Sequence, residues 1–274
     1  MIDPLYVAAR EVLFDALEGL GAQRDALVLA GAQAIYIHTG SANLAVAEFT
    51  TDSDIVIDPG LLKSDPKLAE AMGRAQFRPG VQPGIWLRDR VVSGIPTVIP
   101  VDLLVPQAVA GPGNRAARLG DHGNRTGRIV RGLEGTLVDC TLMSIGALDP
   151  QDLRSFDIRV AGPSGLLVAK LHKLADRGSE SGLRRLEDKD ALDVLRLLRS
   201  ISTETLAAGL GILRENPIAR DVTAEAIELL PRWFGSRAAA GTVMTVRATE
   251  RLEDPATIAA SCEALCRALI ESLD

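Results

Sequence analysis

Three aspartates are the residues whose type and spacing best suit chemistry. Asp52 and Asp54 lie two positions apart in residues 52–57, a predicted strand, so their side chains point to the same face. Asp102 is the one acid in a later apolar stretch, residues 97–105, also predicted to be a strand. A buried carboxylate is costly unless a cation neutralises it, and carboxylate oxygens are ligands that Mg2+ prefers. We therefore predict that Asp52, Asp54 and Asp102 bind a divalent metal ion, Mg2+ or Mn2+.

A glycine turn precedes the paired acids. Residues 26–30 read A-L-V-L-A, a short buried strand, and residues 32–38 suit a short helix. The junction is Gly31-Ala32. Glycine lets the backbone approach a phosphate closely, and a helix N-terminus favours anions. We predict that Gly31 and Ala32 bind a nucleotide.

Together, these features predict nucleotidyl transfer. In that reaction a hydroxyl group attacks the α-phosphorus of a nucleoside triphosphate (NTP), and pyrophosphate leaves. Two metal ions about 3.5–4 Å apart can activate the attacking oxygen and stabilise the leaving one. A D-x-D pair alone is weak evidence, because it recurs by chance and often marks a turn. Its position between a strand-glycine-helix unit and an apolar strand with its own acid makes it more specific.

The same residues resemble the signature of the DNA-polymerase-β-type nucleotidyltransferase superfamily: a glycine–small-residue turn, a D-x-D pair and a third acid on a later strand. More narrowly, the chain is similar to the AbiEii-type toxins, which include the MenT toxins of toxin–antitoxin systems. That family has a K-L-x-A-L-x-x-R-like helix followed by an R/K-D-x-x-D-L helix. Here residues 170–177 read K-L-H-K-L-A-D-R and residues 189–194 read K-D-A-L-D-V. The resemblance covers roughly residues 25–200.

The resemblance implies a role for each matching residue. Asp52 and Asp54 would hold the metal ions, and Asp102 would complete the site or act as the base. Lys170 would contact the nucleotide phosphates, and Asp190 would lie in the same site. Each has a plainer alternative: a hydrogen-bonded buried acid at Asp102, and solvated surface charges at Lys170 and Asp190.

The chain departs from the family pattern at two places. The family turn is more often Gly-Gly or Gly-Ser, and Ala32 has no side-chain donor for a phosphate. Thr50 and Thr51 stand where the family usually has a basic residue. Both departures bear on affinity for the triphosphate rather than on the metal ligands.

The elements that must position these residues divide the chain at Gly162-Pro163-Ser164. The sequence predicts a mixed α/β domain of the nucleotidyltransferase type over residues 1–161, with flanking helices, and a helical domain over residues 162–274 that completes the active-site cleft. Helices are predicted at residues 4–20, 61–76, 164–175 and 188–200, and a further strand at residues 85–91. Pro96 and Pro100 predict that the strand at 97–105 is an edge or bulged strand.

Residues 108–132 are rich in Gly, Pro, Asn and Arg and are predicted to form a loop. Its arginines are candidates for contacts with RNA or with phosphate, and they are Arg115, Arg118, Arg125, Arg128 and Arg131. The alternative is a solvated loop. No aromatic residue interleaves with the arginines, so base stacking on this loop is not expected.

Overall composition sets further limits. The formal net charge of -6 argues against broad nucleic-acid binding but leaves room for a local basic patch. No stretch is apolar enough for a membrane helix, and the N-terminus lacks a signal-peptide pattern, so a cytoplasmic protein is predicted. Cys140, Cys262 and Cys266 are expected to be reduced.

Three hypotheses about the function remain. The first is a toxin that adds nucleotides to tRNA or another RNA and is held in check by a partner antitoxin. The second is an enzyme that modifies a small antibiotic-like molecule, suggested by the acids Glu187, Asp188, Asp190 and Asp193. The third is a catalytically inert binding module of the same fold. The family resemblance favours the first.

Overall fold

The computed structural model describes residues 2–40, 46–178, 184–249 and 252–273, without the side chains of residues 177, 178 and 184–187. It is 53% helical and 19% strand, with a mixed sheet, flanking helices and a helical C-terminal region. The predicted α/β class is therefore confirmed. The chain forms two compact units. Unit 1 comprises Met1–Ala34, Glu48–Val130 and Cys140–Ala161, and unit 2 comprises Ile35–Ala47, Arg131–Asp139 and Gly162–Asp274.

Unit 1 is built on one mixed sheet of eight strands. They are β1 (Leu27–Ala30), β2 (Ser53–Ile57), β3 (Arg78–Pro79), β4 (Ile85–Val92), β5 (Ile95–Pro106), β6 (Arg128–Val130), β7 (Cys140–Gly146) and β8 (Ser155–Ala161). Their order is β3-β4-β5-β2-β1-β8-β7, and β6 pairs with β5. The pairs β1–β8, β2–β5 and β5–β6 are parallel, and β1–β2, β3–β4, β4–β5 and β7–β8 are antiparallel.

The centre of the sheet is apolar, as its sequence requires. All four residues of β1 are buried, and so is every residue of β2 except Asp54. A strand buried on both faces gains stability from each side chain, so its register is strongly fixed. The β1–β2 and β2–β5 registers align Ala30 with Asp54 and Asp54 with Asp102.

Two helices of unit 1 accompany the sheet. Helix α1 (Pro4–Gly19) begins at Asp3, whose Oδ1 accepts a hydrogen bond from the Leu5 backbone N–H at 2.8 Å. Helix α3 (Leu68–Arg74) is shorter than the predicted helix at 61–76. Residues 59–61 form a separate 3-10 turn, and Pro66 disfavours helical backbone before it, so the helix starts only at Leu68.

The strand β5 differs from its prediction. It lies inside the sheet between β4 and β2, so the expectation of an edge strand is wrong for the strand as a whole. However, β2 pairs only with Val101–Leu104 of β5. Pro96 and Pro100 precede that stretch and pair with β4 alone, so their missing N–H groups remove no bond to β2.

The predicted loop at 108–132 contains more structure than its composition indicated. Residues Arg128–Val130 form β6, which pairs with Leu104, Val105 and Pro106 of β5. Ile129 and Val130 favour strands, but a run of three residues inside a Gly- and Arg-rich segment is too short to be recognised from the sequence, so this strand depends on the backbone partner that β5 provides.

Unit 2 is helical. Its elements after residue 131 are α4 (Glu134–Val138), α5 (Pro163–Gly178), α6 (Arg184–Ser200), α7 (Thr203–Glu215), α8 (Arg220–Phe234), α9 (Ala240–Thr249) and α10 (Pro255–Glu271). The core is formed mainly by leucines, such as Leu171, Leu195 and Leu210. Among the described residues, no helix has the length and hydropathy needed to cross a membrane.

Candidate functional site

The row formed by Ala30, Asp54 and Asp102 defines the site in unit 1. Asp54 and Asp102 are register partners on neighbouring parallel strands, so their side chains emerge on the same face of the sheet. Both are half-buried. The sequence placed these acids on separate strands, and the structure brings them side by side.

Gly31 ends β1 and starts α2 (Gly31–Thr39) with a left-handed backbone, at φ 65°. A Cβ at Gly31 would overlap the carboxylate of Asp54. Two independent constraints therefore require glycine here: the positive φ and the close approach of Asp54. Ala32 follows in the helix and is buried.

A buried polar chain supports the backbone that carries the D-x-D pair. The amide of Gln33 on α2 donates to the Asp52 carbonyl at 3.2 Å and to Ser53 Oγ at 2.6 Å. Arg10 on α1 donates from Nε to Gln33 Oε1 at 2.7 Å and from Nη1 to the Gly146 carbonyl at 2.9 Å. Gln33 and Arg10 are both buried, so these bonds hold the entry to β2 in a fixed place.

Asp52 itself is held locally. Its Oδ1 accepts a hydrogen bond from Thr50 Oγ1 at 2.5 Å, and Thr50 is fully buried. Thr50 is one of the two threonines directly before the D-x-D pair. In this structure it orients one of the predicted metal ligands.

Asp102 has a cationic partner within unit 1. Arg128 Nη2 donates to Asp102 Oδ2 at 2.6 Å, with the side chains 29% and 15% exposed respectively. The charge that Asp102 brings into the sheet is thus balanced by a guanidinium.

The donor chemistry of this site fits a divalent cation. Asp54 and Asp102 offer hard carboxylate oxygens on one face, and Mg2+ typically takes one or two protein carboxylates and completes its shell with water and phosphate oxygens. Within the described part of the chain, no group of three or more His, Cys, Asp or Glu side chains is close enough to hold a metal ion.

The five predicted phosphate-contacting arginines have different surroundings. Arg125 donates to the Val81 carbonyl at 2.6 Å, Arg128 pairs with Asp102, and in unit 2 Arg131 pairs with Glu225 at 2.5 Å. Arg115 and Arg118 are exposed. Their segment runs beside β6, because the Ile129 N–H donates to the Arg115 carbonyl at 2.8 Å and the Ala117 N–H to the Gly127 carbonyl at 3.0 Å.

Lys170 lies in the interior of unit 2. Its Nζ is 2.6 Å from Asp190 Oδ1 and 2.7 Å from Asp193 Oδ2, and all three side chains are almost fully buried. Burial alone would lower the pKa of Lys170, but Asp190 and Asp193 together raise it above its usual value. The alternative that Lys170 and Asp190 are solvated surface charges is therefore wrong.

The acidic cluster behind the small-molecule hypothesis is largely engaged by internal cations. Asp190 and Asp193 face Lys170, and Asp188 pairs with Arg247 at 2.5 Å. The side chain of Glu187 lies outside the described residues. Three of the four acids therefore have an internal counter-charge, which leaves less negative charge for a cationic acceptor.

The residues that sequence reasoning missed are Gln33, Arg10 and the pairing role of Arg128. Gln33 had a weak signal, since it is a polar residue within the otherwise apolar run A-Q-A-I-Y-I. Arg10 lies at a core position of the amphipathic helix α1, and nothing in the sequence indicated its contact with Gln33. Cys262 and Cys266 are buried and free, and burial raises the pKa of each thiol to about 11, which keeps both protonated and unreactive at neutral pH.

Comparison with known proteins adds no family: no protein-family model, curated protein or solved structure matches this chain.

Proposed function

We propose that the chain is a metal-dependent nucleotidyltransferase that transfers a nucleotide from an NTP to an acceptor. The observation that carries the proposal is the arrangement of Gly31, Asp54 and Asp102. The left-handed turn at Gly31 lies against Asp54, and Asp54 and Asp102 lie side by side on one face of the sheet. These three residues are also part of the pattern on which the family resemblance rests.

Each residue of the site would have its own role in the reaction. Asp54 and Asp102 bind the cation through their carboxylates. Gly31 leaves room for the Asp54 carboxylate at the start of α2, and the positive end of that helix dipole would favour a triphosphate beside this carboxylate. When bound, divalent cations would neutralise charge on the triphosphate and the departing pyrophosphate.

The balance of the reaction is simple. The acceptor hydroxyl oxygen forms a bond to the α-phosphorus, and the bond from that phosphorus to the oxygen bridging to the β-phosphate breaks. Pyrophosphate leaves with the electron pair, and the hydroxyl proton passes to a water molecule in the site, because Asp102 is engaged as a metal ligand in this proposal. No redox partner is needed.

RNA is the acceptor that we propose, and tRNA is the first choice from the resemblance to AbiEii-type toxins. The supporting observation is the segment that carries the exposed Arg115 and Arg118, which is hydrogen-bonded to β6 next to Arg128 and hence close to Asp102. Exposed guanidinium groups are suited to phosphate oxygens of an RNA backbone. A cognate antitoxin is proposed on the resemblance alone.

The test is incubation of the purified protein with Mg2+, each α-labelled NTP in turn, and total bacterial tRNA. We expect label on tRNA with one preferred NTP. Binding of Mg2+-NTP in calorimetry without label on RNA would contradict the RNA acceptor and retain the reaction class. Neither label nor nucleotide binding would contradict the proposal and favour an inert binding module.

A further inference from the structure

The ion pair between Arg128 and Asp102 is a built feature of unit 1. Arg128 is the first residue of β6 and is the register partner of Leu104 on β5, two positions after Asp102. Its Nη2 donates to Asp102 Oδ2 at 2.6 Å, while Nη1 lies 3.5 Å from Gln82 Oε1. A partly buried carboxylate thus has a charge-assisted hydrogen bond to a residue that the sheet itself delivers.

The backbone of Arg128 has little freedom to move. A Cβ at Gly84 would collide with the Arg128 backbone nitrogen, so the two segments are in close contact. The Gly84 N–H also donates to the Arg125 carbonyl at 2.9 Å. Because its backbone is fixed, Arg128 would leave Asp102 by movement of its side chain, which is 29% exposed.

We propose that Arg128 competes with the metal ion for Asp102, and that the site binds its cation well only after Arg128 has moved away. This inference rests on the proposed function. A cation on the same carboxylate would be held next to a like charge, which opposes its binding. The triphosphate is an anion and offers the guanidinium another partner, so nucleotide binding would release Asp102 and raise metal affinity. The metal alone would bind weakly.

The test measures binding of Mn2+ alone, followed by the electron paramagnetic resonance signal of the free ion. We expect the R128Q variant to bind Mn2+ about five- to ten-fold more tightly than the wild type, as a partly exposed charged hydrogen bond is lost. R128K keeps the positive charge and is expected to stay close to the wild type.

Arg125 provides the matched control. It lies three positions earlier on the same segment, is exposed, and bonds to the Val81 carbonyl at 2.6 Å rather than to a carboxylate. R125Q removes the same charge and should leave Mn2+ affinity within about two-fold of the wild type, because a surface charge in water is well screened. In a D102N background, R128Q should bring no gain in affinity.

The outcomes separate the two proposals. Equal Mn2+ affinity in the wild type, R128Q and R128K would overturn the competition while leaving the reaction class intact. An equal gain from R125Q would also overturn it, because the effect would then be general electrostatics. Absence of Mn2+ binding in every variant, with and without an NTP, would contradict the nucleotidyltransferase proposal and the competition together. Thermal unfolding of each variant shows whether it is folded.

Discussion

Single residues determine the geometry of this site, and Gly31 is the most constrained of them. Its backbone is left-handed, and its missing Cβ leaves room for the Asp54 carboxylate. Asp54 and Asp102 then differ in their surroundings: Asp54 packs on the glycine turn, and Asp102 has the guanidinium of Arg128. A cation that joins them would exchange one existing contact of each residue for a metal bond.

A substitution of Gly31 tests this arrangement. Gly31→Ala should lower the free energy of unfolding by about 2–4 kcal/mol, because alanine resists positive φ and its Cβ displaces Asp54. The measurement is urea unfolding followed by circular dichroism.

Gly40→Ala is the control for the backbone term. Gly40 also has a positive φ, at 53°, but a Cβ there would meet no atom of the described residues within 4 Å. We expect a loss of only about 1 kcal/mol. Equal losses at the two positions would show that the approach of Asp54 to Gly31 is not needed for stability.

At the scale of elements, the position of the D-x-D pair depends on α1 and α2 as much as on β2. Arg10 on α1 holds Gln33 on α2, and Gln33 holds the backbone at Asp52. Such outer contacts fix the direction of a ligand before any metal binds, and their loss typically weakens metal sites by about 10–100-fold. Gln33 is therefore a positioning residue in the proposed site.

The variant Gln33→Leu should weaken Mn2+ binding by about ten-fold and lower the free energy of unfolding by about 2–4 kcal/mol, since it leaves buried polar groups without partners. Gln23→Leu is the matched control: Gln23 is also fully buried and donates to the Lys63 and Pro66 carbonyls, each at 2.8 Å. It should lose similar stability while its Mn2+ affinity stays unchanged. An equal fall in affinity would reduce Gln33 to a purely structural role.

In unit 2, helices α5 and α6 are joined by the buried charges of Lys170, Asp190 and Asp193. Lys170→Ala would leave two carboxylates uncompensated in the interior, so we expect a loss of about 3–5 kcal/mol in unfolding free energy. Lys173 is 40% exposed and lies 3.2 Å from Asp190, so Lys173→Ala should cost at most about 1 kcal/mol. Chemical unfolding of both variants measures these losses. Similar losses of unfolding free energy in the two variants would mean that Lys170 is not the central cation.

The sequence predicted much of this organisation. The apolar runs that became β1, β2 and β4 were located to within about two residues, because short buried strands between turn residues have a clear pattern. The third acid was recognised because a lone charge in an apolar strand needs a partner.

The nature of that partner could not be predicted. Arg128 reaches Asp102 only because β6 pairs with β5, and such a pairing depends on contacts distant in sequence. The late start of α3, compared with the predicted helix at 61–76, depends in part on Pro66. It is also fixed by His122, whose Nδ1 accepts a hydrogen bond from the Leu68 N–H at 3.2 Å. Local patterns contain no information on either contact.

For the whole molecule, the negative net charge must be reconciled with the proposal that RNA is the acceptor. The formal net charge is -6, so the surface as a whole repels nucleic acid, and any RNA must be held by a local group of cations. The exposed Arg115 and Arg118, beside the strand that carries Arg128, are such a group in unit 1. In our proposal the reaction class rests on the acids alone, whereas the RNA acceptor rests on this basic segment.

The most direct test of the central claim compares nucleotide transfer by the wild type, D54N and D58N under identical conditions with Mg2+ and the preferred α-labelled NTP. Asp58 is the control, because it follows the same strand and its side chain accepts a hydrogen bond from the exposed Gly60 N–H at 3.0 Å. We predict that D54N loses at least about a thousand-fold in rate while remaining folded, and that D58N stays within about two-fold of the wild type. Undiminished transfer by folded D54N would contradict the assignment of Asp54 to the catalytic site.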